Sequence, residues 1–364
     1  MVARRLWIIT GCFAAVALLR SWRVGIPVKD PGGAFFLTRV ALTAGLFAVF
    51  ALIEAFVRTP RGERTLRTLW ATHRRRWPAG RLAAAWSCLL AYHVVYLTYH
   101  NLKSWDVLNA PRDHDLTAVD RWLFLGHSPA VLLHDLLGQG AAAYVLLAIY
   151  EAFPTLVVLV VAGSVFTPRL RDGATVLASL IWVWILGTVS YYAVPSLGPF
   201  HDRPQDFAGL PHTKATTTQA VYLAQRDHLL AHPHAADAFA QVSAFASLHI
   251  AVTTVIMLMA AHLGHRRTAR VLGVYLALVC VATVYLGWHF VVDDVAGLVI
   301  GWAAVRLGIL TTRSRPGRDR AAHRRGMVTT KAAPSAPGAS SISPPNERAT
   351  RLAIPRPRPA PPVP

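Results

Sequence analysis

Tyr285-Leu-Gly-Trp-His289-Phe-Val-Val-Asp293-Asp294-Val-Ala-Gly297 opens an apolar run that continues to residue 310. Roughly twenty such residues carry a helix across the hydrocarbon core of a bilayer. Ionisable groups at the head of that run are costly at membrane depth, so they mark a functional site by default. About forty residues upstream, Ser243-Ala-Phe-Ala-Ser247-Leu-His249 leads into another apolar run. The pairing of these two segments sets the expectation for the whole chain.

Outward from them, further runs of spanning length lie at 6–24, 35–57, 82–99, 141–165 and 175–195, with the two motif-bearing segments at 245–264 and 290–310 and one between them at 269–287. The chain is 54% hydrophobic and 15% charged, with mean hydropathy +0.39, too apolar for a soluble domain of 364 residues. The runs are continuous rather than alternating, which excludes a closed β-barrel. The expected fold is an all-α polytopic membrane helix bundle of about eight transmembrane helices. Seven remain if the first run, crowded by Arg20 and Arg23, or the third, with His93 inside it, fails to span.

The net charge of +19 suggests nucleic acid only until its distribution is read. Residues 58–81 hold eight arginines against Glu63, and the chain beyond residue 310 holds eleven Lys or Arg against Asp319 and Glu347. Arg169, Arg171, Arg266, Arg267 and Arg270 mark two further basic connections. These alternate with basic-poor connections, the pattern of the positive-inside rule. A multi-pass protein of the cell membrane is expected, with both termini cytoplasmic and His249, His289 and Asp293 at the extracytoplasmic end. The basic loops then contact anionic lipid rather than nucleic acid; Leu66, Leu69 and Trp70 would share one face of an interfacial helix there.

Three regions follow: N-terminal spans and a basic loop over 1–81, a catalytic membrane domain over 82–310, and a basic, Pro-rich tail over 311–364 too poor in apolar residues to order itself. The first span lacks a small-residue cleavage site and reads as a retained helix. Cys12, Cys88 and Cys280 lie in separate apolar runs and read as packing residues. His201, His212, His228, His232 and His234 in the loop 196–244 have no metal-ligand spacing beyond one His-Pro-His, so neither a metal nor another cofactor is expected. Asp120 to Pro129 reads as a short interfacial helix stopped by Gly126 and Pro129, with Trp122 as anchor. Tyr191 to Phe200 closes the fifth run and turns into the long loop.

The chemistry rests on spacing. His289 and Asp293 are four apart, which on a helix stacks them on one face, where the carboxylate fixes the imidazole tautomer and raises the basicity of the other nitrogen. A cap by Ser243 or Ser247 would put His249 in the first turn of its span, where free N–H groups favour an anion. A phosphate held there has an activated imidazole on one side and a proton donor on the other, the arrangement for phosphoryl transfer through a covalent intermediate. Asp294, about 100° round the helix from Asp293, is expected to satisfy a neighbouring polar group.

Ser247-Leu-His249 followed by His289-x-x-x-Asp293-x-x-x-Gly297 resembles the type-2 phosphatidic acid phosphatase superfamily. Tyr192 to Pro199, Phe245 to Ala251 and Tyr285 to Gly297 resemble its inositol phosphorylceramide synthase branch; the likeness covers about residues 85–310. It implies a six-helix core, no metal, His289 as nucleophile forming a phosphohistidine, Asp293 orienting it, and His249 as the acid at the leaving oxygen. Two departures stand out. The phosphatase branch carries an Arg six residues before the nucleophile, where this chain has Thr283. Its first motif has Lys seven residues before Arg-Pro, where this chain has Ser196 before Arg203-Pro204.

The departures favour a transferase that moves a phosphorylated head group, such as phosphoinositol, between lipids. A lipid phosphate phosphatase and a non-catalytic scaffold or transporter are the alternatives. Ser247, Arg203 and Tyr192 are candidate substrate contacts, with Lys214 and Arg226 as further cations near the anion. The expected partners are a lipid-linked phosphate and the bilayer; no oligomeric state can be read.

Overall fold

The computed structural model describes residues 2–313, and all regular structure among them is helical. The tail expected to be disordered lies, from residue 314 on, outside the described residues. Two long helices come first, α1 (Val2–Val24) and α2 (Leu37–Arg58), then a short α3 (Leu66–Arg76) and the 28-residue α4 (Ala79–Asp106). Next are α5 (Asp113–Leu123), α6 (Pro129–Leu137), α7 (Ala141–Ser164) and α8 (Leu170–Ala193). The short α9 (Pro199–Asp202) and α10 (Lys214–Ala231) precede α11 (Leu248–His262), α12 (Arg266–Tyr285) and α13 (Val291–Thr312).

Seven of these helices are long and apolar enough to cross a membrane: α1, α2 with its lead-in from Pro31, α4, α7, α8, α12 and α13. The protein is a polytopic helical membrane protein. The two runs that the charges made doubtful, the first and the third, are both among the seven. The shortfall comes instead at α11, only 15 residues long.

The reason lies in the ten residues before it. Ala238 to Ser247 are non-helical and mostly buried, although their composition resembles the helix that follows. Irregular backbone is tolerated inside a bundle only where its polar groups are met by protein. Here the Ala240 N–H donates to Ser104 Oγ (3.0 Å), Ala244 N–H to the Ser196 carbonyl (2.9 Å), and Phe245 N–H to Ser196 Oγ (2.8 Å). Ala246 N–H donates to Ser190 Oγ (3.0 Å) and Ser247 N–H to the Asp293 carbonyl (3.0 Å). Serines on α4, on α8 and in the turn after α8 thus replace the intrahelical bonds this segment lacks.

Helix α13 packs chiefly on α8 and α11, and α4 on α8 and α1. Glycines permit the close approach of α13. A Cβ on Gly297 would lie 2.5 Å from the Ser247 carbonyl oxygen, and one on Gly301 2.6 Å from that of Ala251. One turn apart on α13, these positions press its backbone against the first turns of α11. That contact brings the helix bearing Asp293 to the helix bearing His249.

At the opposite end of the bundle, arginines meet carbonyls at helix C-termini, where cations are favoured. Arg5 Nη1 donates to the Thr311 and Arg313 carbonyls (2.8 and 2.7 Å), Arg171 Nε to Thr312 (2.9 Å), and Arg76 and Arg81 both to Thr167 (2.9 Å). Arg61, Arg67, Arg74 and Arg75 are exposed, as are Leu66 and Trp70 on α3.

Candidate active site

Helix α12 ends in a Schellman motif that sets the position of His289. Gly287 takes the left-handed conformation (φ 77°), its N–H donates to the Val284 carbonyl (3.1 Å), and the Trp288 N–H reaches back to Thr283 (2.9 Å). His289 follows at once, and Phe290 is the N-cap of α13. His289 therefore precedes the helix instead of sharing a face of it with Asp293, as the spacing had suggested. The two still meet. Asp293 Oδ2 accepts from the Phe290 N–H (3.0 Å), folding back over the helix start, and His289 Nδ1 lies 3.4 Å from the same oxygen. Asp293 is fully buried and His289 nearly so.

His249 is the second residue of α11, and its ring centroid is 5.9 Å from that of His289. Tyr150 stacks on one side of it and Phe153 lies against it, both with centroids at 4.4 Å. The two histidines line one chamber of about 420 Å³. Its walls are largely aromatic, including Tyr99, Tyr191, Tyr222, Trp184 and Trp288. Glu151 is the one carboxylate lining it among the described residues, and it is ion-paired with Lys214.

Burial pushes the His289 imidazole down to about 3, with the charge of Lys103 adding to the effect and the Ala244 backbone opposing it. The ring is therefore neutral over the whole physiological range. A neutral imidazole with Nδ1 turned toward a carboxylate leaves Nε2 with a free lone pair, the condition for a nucleophile.

Of the residues expected to contact substrate, Arg203 shares a small cavity with His289, lined also by Asp120 and Asp206. Ser247 stands at the N-cap of α11, but its buried hydroxyl makes no cap hydrogen bond, and Ser243 instead donates to Asp106 Oδ2 (3.0 Å). Tyr192 is turned away from the chamber, its hydroxyl donating to the Leu102 carbonyl (2.8 Å); its neighbour Tyr191 lines the chamber instead. Lys214 is at the chamber wall, whereas Arg226 is in contact with Asp227. In the loop, His228 Nε2 lies 3.0 Å from Asp237 Oδ1, and no group of three or more His, Cys, Asp or Glu among the described residues is placed to hold a metal ion.

Three residues escaped the sequence reading. Lys103, near the end of α4, lines the chamber and has no ion-pair partner among the described residues; its charge acts on both His249 and His289. Asp106, one turn on, accepts from Ser243 and from Asn109 Nδ2 (3.0 Å). The ring of Tyr191 lies 5.6 Å from the Lys103 ammonium. Lys103 lies past the apolar run at 82–99, and only the continuation of α4 to Asp106 brings it within the span.

The other two are Asp113 and Asp120 on α5, which runs from Asp113 to Leu123 and so begins earlier than the interfacial helix expected from Asp120 on. Asp113 Oδ1 accepts from the Leu197 and Gly198 N–H groups (2.8 and 2.7 Å), fixing the turn after α8. Asp120 accepts from the N–H groups of Val291 (2.8 Å) and Val292 (3.2 Å), the first two residues of α13. Burial raises both carboxyls, and the backbone donors pull each the other way.

Asp294 Oδ2 accepts from Thr283 Oγ1 (2.9 Å), the neighbouring polar group anticipated for it. Compared with known proteins, residues 114–307 match the PAP2 superfamily model. No curated protein and no solved structure matches the chain. The match takes in both histidines, Asp293 and the helices that carry them, over more than half of the chain, and the chain belongs to the PAP2 superfamily.

Proposed function

We infer from this membership that the protein is a membrane enzyme of the lipid phosphatase and phosphotransferase kind. We propose that it is a phosphotransferase that moves a phosphorylated head group, such as phosphoinositol, from one lipid to another at the extracytoplasmic face. The observation that carries this reading is the facing pair of imidazoles in one chamber, one of them held against a buried carboxylate, with Lys103 beside them.

In the first step Nε2 of His289 attacks phosphorus, and the bond from phosphorus to the leaving lipid oxygen breaks. His249 gives its proton to that oxygen. Asp293 holds the Nδ1 proton of His289 and stabilises the imidazolium character that develops as the P–N bond forms. Lys103 faces the charge on the non-bridging oxygens. In the second step an acceptor hydroxyl loses its proton to His249, its oxygen bonds to phosphorus, and the P–N bond breaks. The protein returns to its starting state with no net change in protonation.

Transfer is favoured over hydrolysis by the fate of the Arg position six residues before His289. Thr283 stands there and is committed to Asp294, so the charge that a phosphate monoester dianion would call for is missing at that point. The chamber walls are aromatic, a surface suited to a ring-bearing head group.

The test is phosphorus-resolved product analysis on purified protein in detergent, given phosphatidylinositol with and without a long-chain lipid alcohol, alongside His289→Ala. Phosphoinositol transfer to the alcohol, abolished in the variant, is the expected result. Release of inorganic phosphate from a lipid phosphate without transfer would make the protein a phosphatase. Equal turnover by wild type and His289→Ala would overturn both.

A further inference from the structure

A second pocket of about 130 Å³ adjoins the catalytic chamber, with His249 in the wall of both. The two cavities share Tyr96, Phe153, Pro154, Trp184 and His249 as common walls. Beyond that junction the pocket follows α7 through Val157, Val158 and Val161, and its far wall is made by α2 and α4. Those two helices lie outside the segment that matches the superfamily.

Away from His249 its lining is mostly apolar, with Thr43, His93, Arg39 and the Tyr92 hydroxyl as the polar groups. His93 is 3% exposed; its Nε2 is 3.0 Å from Thr43 Oγ1, and its Nδ1 has no partner. Arg39 lies over the ring of Tyr96 at 5.6 Å, with no ion-pair partner among the described residues. A buried imidazole nitrogen without a partner costs free energy that a ligand's hydrogen-bonding group would recover. The ligand that suits such a pocket is therefore a hydrocarbon chain with a polar end.

We propose that this pocket seats the lipid alcohol portion of the substrates, with the alcohol oxygen at His249 and the chain along Val157 to Val161. The proposal rests on the catalytic reading above and adds to it where the lipid lies. Direction of attack gives the reason. The nucleophile and the leaving oxygen stand on opposite sides of phosphorus, so the leaving alcohol belongs beside the acid, His249, not beside His289. Microscopic reversibility puts the acceptor alcohol in the same seat for the second step. The head group then occupies the larger chamber with Lys103, while the chain leaves through a slot among bilayer-spanning helices. Arg39 and His93 are positioning residues here, acting on a further polar group of the lipid, such as an acyl carbonyl, and not on the reacting atoms.

Two measurements test this. First, purified full-length protein is photolabelled with a diazirine-bearing long-chain alcohol and, separately, with a diazirine-bearing phospholipid, and the labelled residues are mapped by mass spectrometry. Label on the 157–161 stretch of α7 or on Thr43, reduced at least fivefold in Val158→Trp, is expected; the alcohol marks the acceptor's seat and the phospholipid the donor's. Label from neither probe at these residues, or label unchanged in Val158→Trp, overturns the proposal. Second, the ratio of kcat/KM for a long-chain to a short-chain substrate with the same phosphate head is compared between wild type and Val158→Trp. A fall of tenfold or more is expected, and an unmoved ratio overturns the assignment. Val158→Phe, a smaller filling, guards against a variant that fails to fold. A wild type inactive on both substrates sinks the catalytic reading alone, since the photolabel still decides the pocket.

Discussion

Thr283 donates its hydroxyl to Asp294 at 2.9 Å, and neither residue is more than 5% exposed. The position where phosphatases of this superfamily are expected to carry an arginine is thus occupied by a side chain that serves the scaffold. The carboxylate it serves is the neighbour of the one that holds His289.

Replacing Thr283 by Val keeps the shape and deletes the donor. A buried carboxyl left without its partner costs about 1–3 kcal/mol. The expected outcome is a lower melting temperature in detergent with a comparatively small change in kcat, because Asp293 keeps its own bond to Phe290. A large loss of kcat at unchanged stability would show that Thr283 acts on the reacting groups.

Asp120 ties α5 to the start of α13 through two backbone N–H groups that the helix itself cannot satisfy. Asp120→Ala should cost about 1–2 kcal/mol, the range for losing a helix cap, and should lower kcat because the same turn carries His289. Asp120→Asn retains an acceptor oxygen and should fall between. Melting curves and initial rates on the two variants check the order; a wild-type rate in Asp120→Ala would remove this residue from the positioning of the site.

Much of this architecture is legible in the sequence, and what is not has physical causes. Continuous apolar runs reveal the spans, and the His, His and Asp at their heads stand out because charge at membrane depth is rare. Helical phase is harder to read: Tyr191 and Tyr192 differ by 100°, and only the packed neighbours decide which faces the chamber. Ala238 to Ser247 has the composition of a span but not its backbone, since the hydroxyls that satisfy it come from α4, α8 and the turn after α8, distant in sequence. Asp113 and Asp120 bond to backbone amides that no pattern in their own segment announces. Lys103 looks like a charge at the end of a span until the fold places α4 across from the two histidines.

The low proton affinity of His289 has a consequence for pH. Its folded-state value, about 3, is depressed below the ordinary 6.5. The folded protein therefore binds fewer protons than the unfolded chain between those values, and the stability present above pH 6.5 is lost as pH falls toward 3, at up to about 1.4 kcal/mol per pH unit. His289→Gln removes this contribution. Wild type should lose more thermal stability than the variant between pH 7 and pH 5, and no acid limb of kcat/KM in that interval should belong to His289. An NMR titration of the His289 ring centred near 6.5 would refute the assignment.

The glycine contact between α11 and α13 predicts a steric outcome. Gly297→Ala places a methyl group 2.5 Å from the Ser247 carbonyl oxygen, a backbone atom that cannot rotate away. The helices must separate, at about 1–3 kcal/mol for an overpacked contact. Because the separation moves Asp293 relative to His249, activity should fall by more than stability alone explains. A crystal or cryo-EM structure of the variant with the His249–His289 spacing unchanged would contradict this.

Lys103 offers the sharpest test of how the chamber holds charge. Its ammonium has no carboxylate within ion-pair distance among the described residues, since Asp106 accepts from Ser243 and Asn109, and its field reaches both histidines. If it binds the non-bridging oxygens of the transferred group, Lys103→Gln removes a charge-assisted hydrogen bond worth about 1.5–3 kcal/mol, which lowers kcat/KM by roughly 10- to 150-fold. Lys103→Arg keeps the charge and should recover part of that loss, whereas a purely structural lysine would show no such rescue. Removing the positive charge also relieves one cause of the depressed His289 value, so the ring should titrate at higher pH in Lys103→Gln. The direction of that shift, read by NMR on the unliganded protein, does not depend on any substrate. A weaker activity with an unmoved His289 titration would mean that the lysine supports the fold from outside the site.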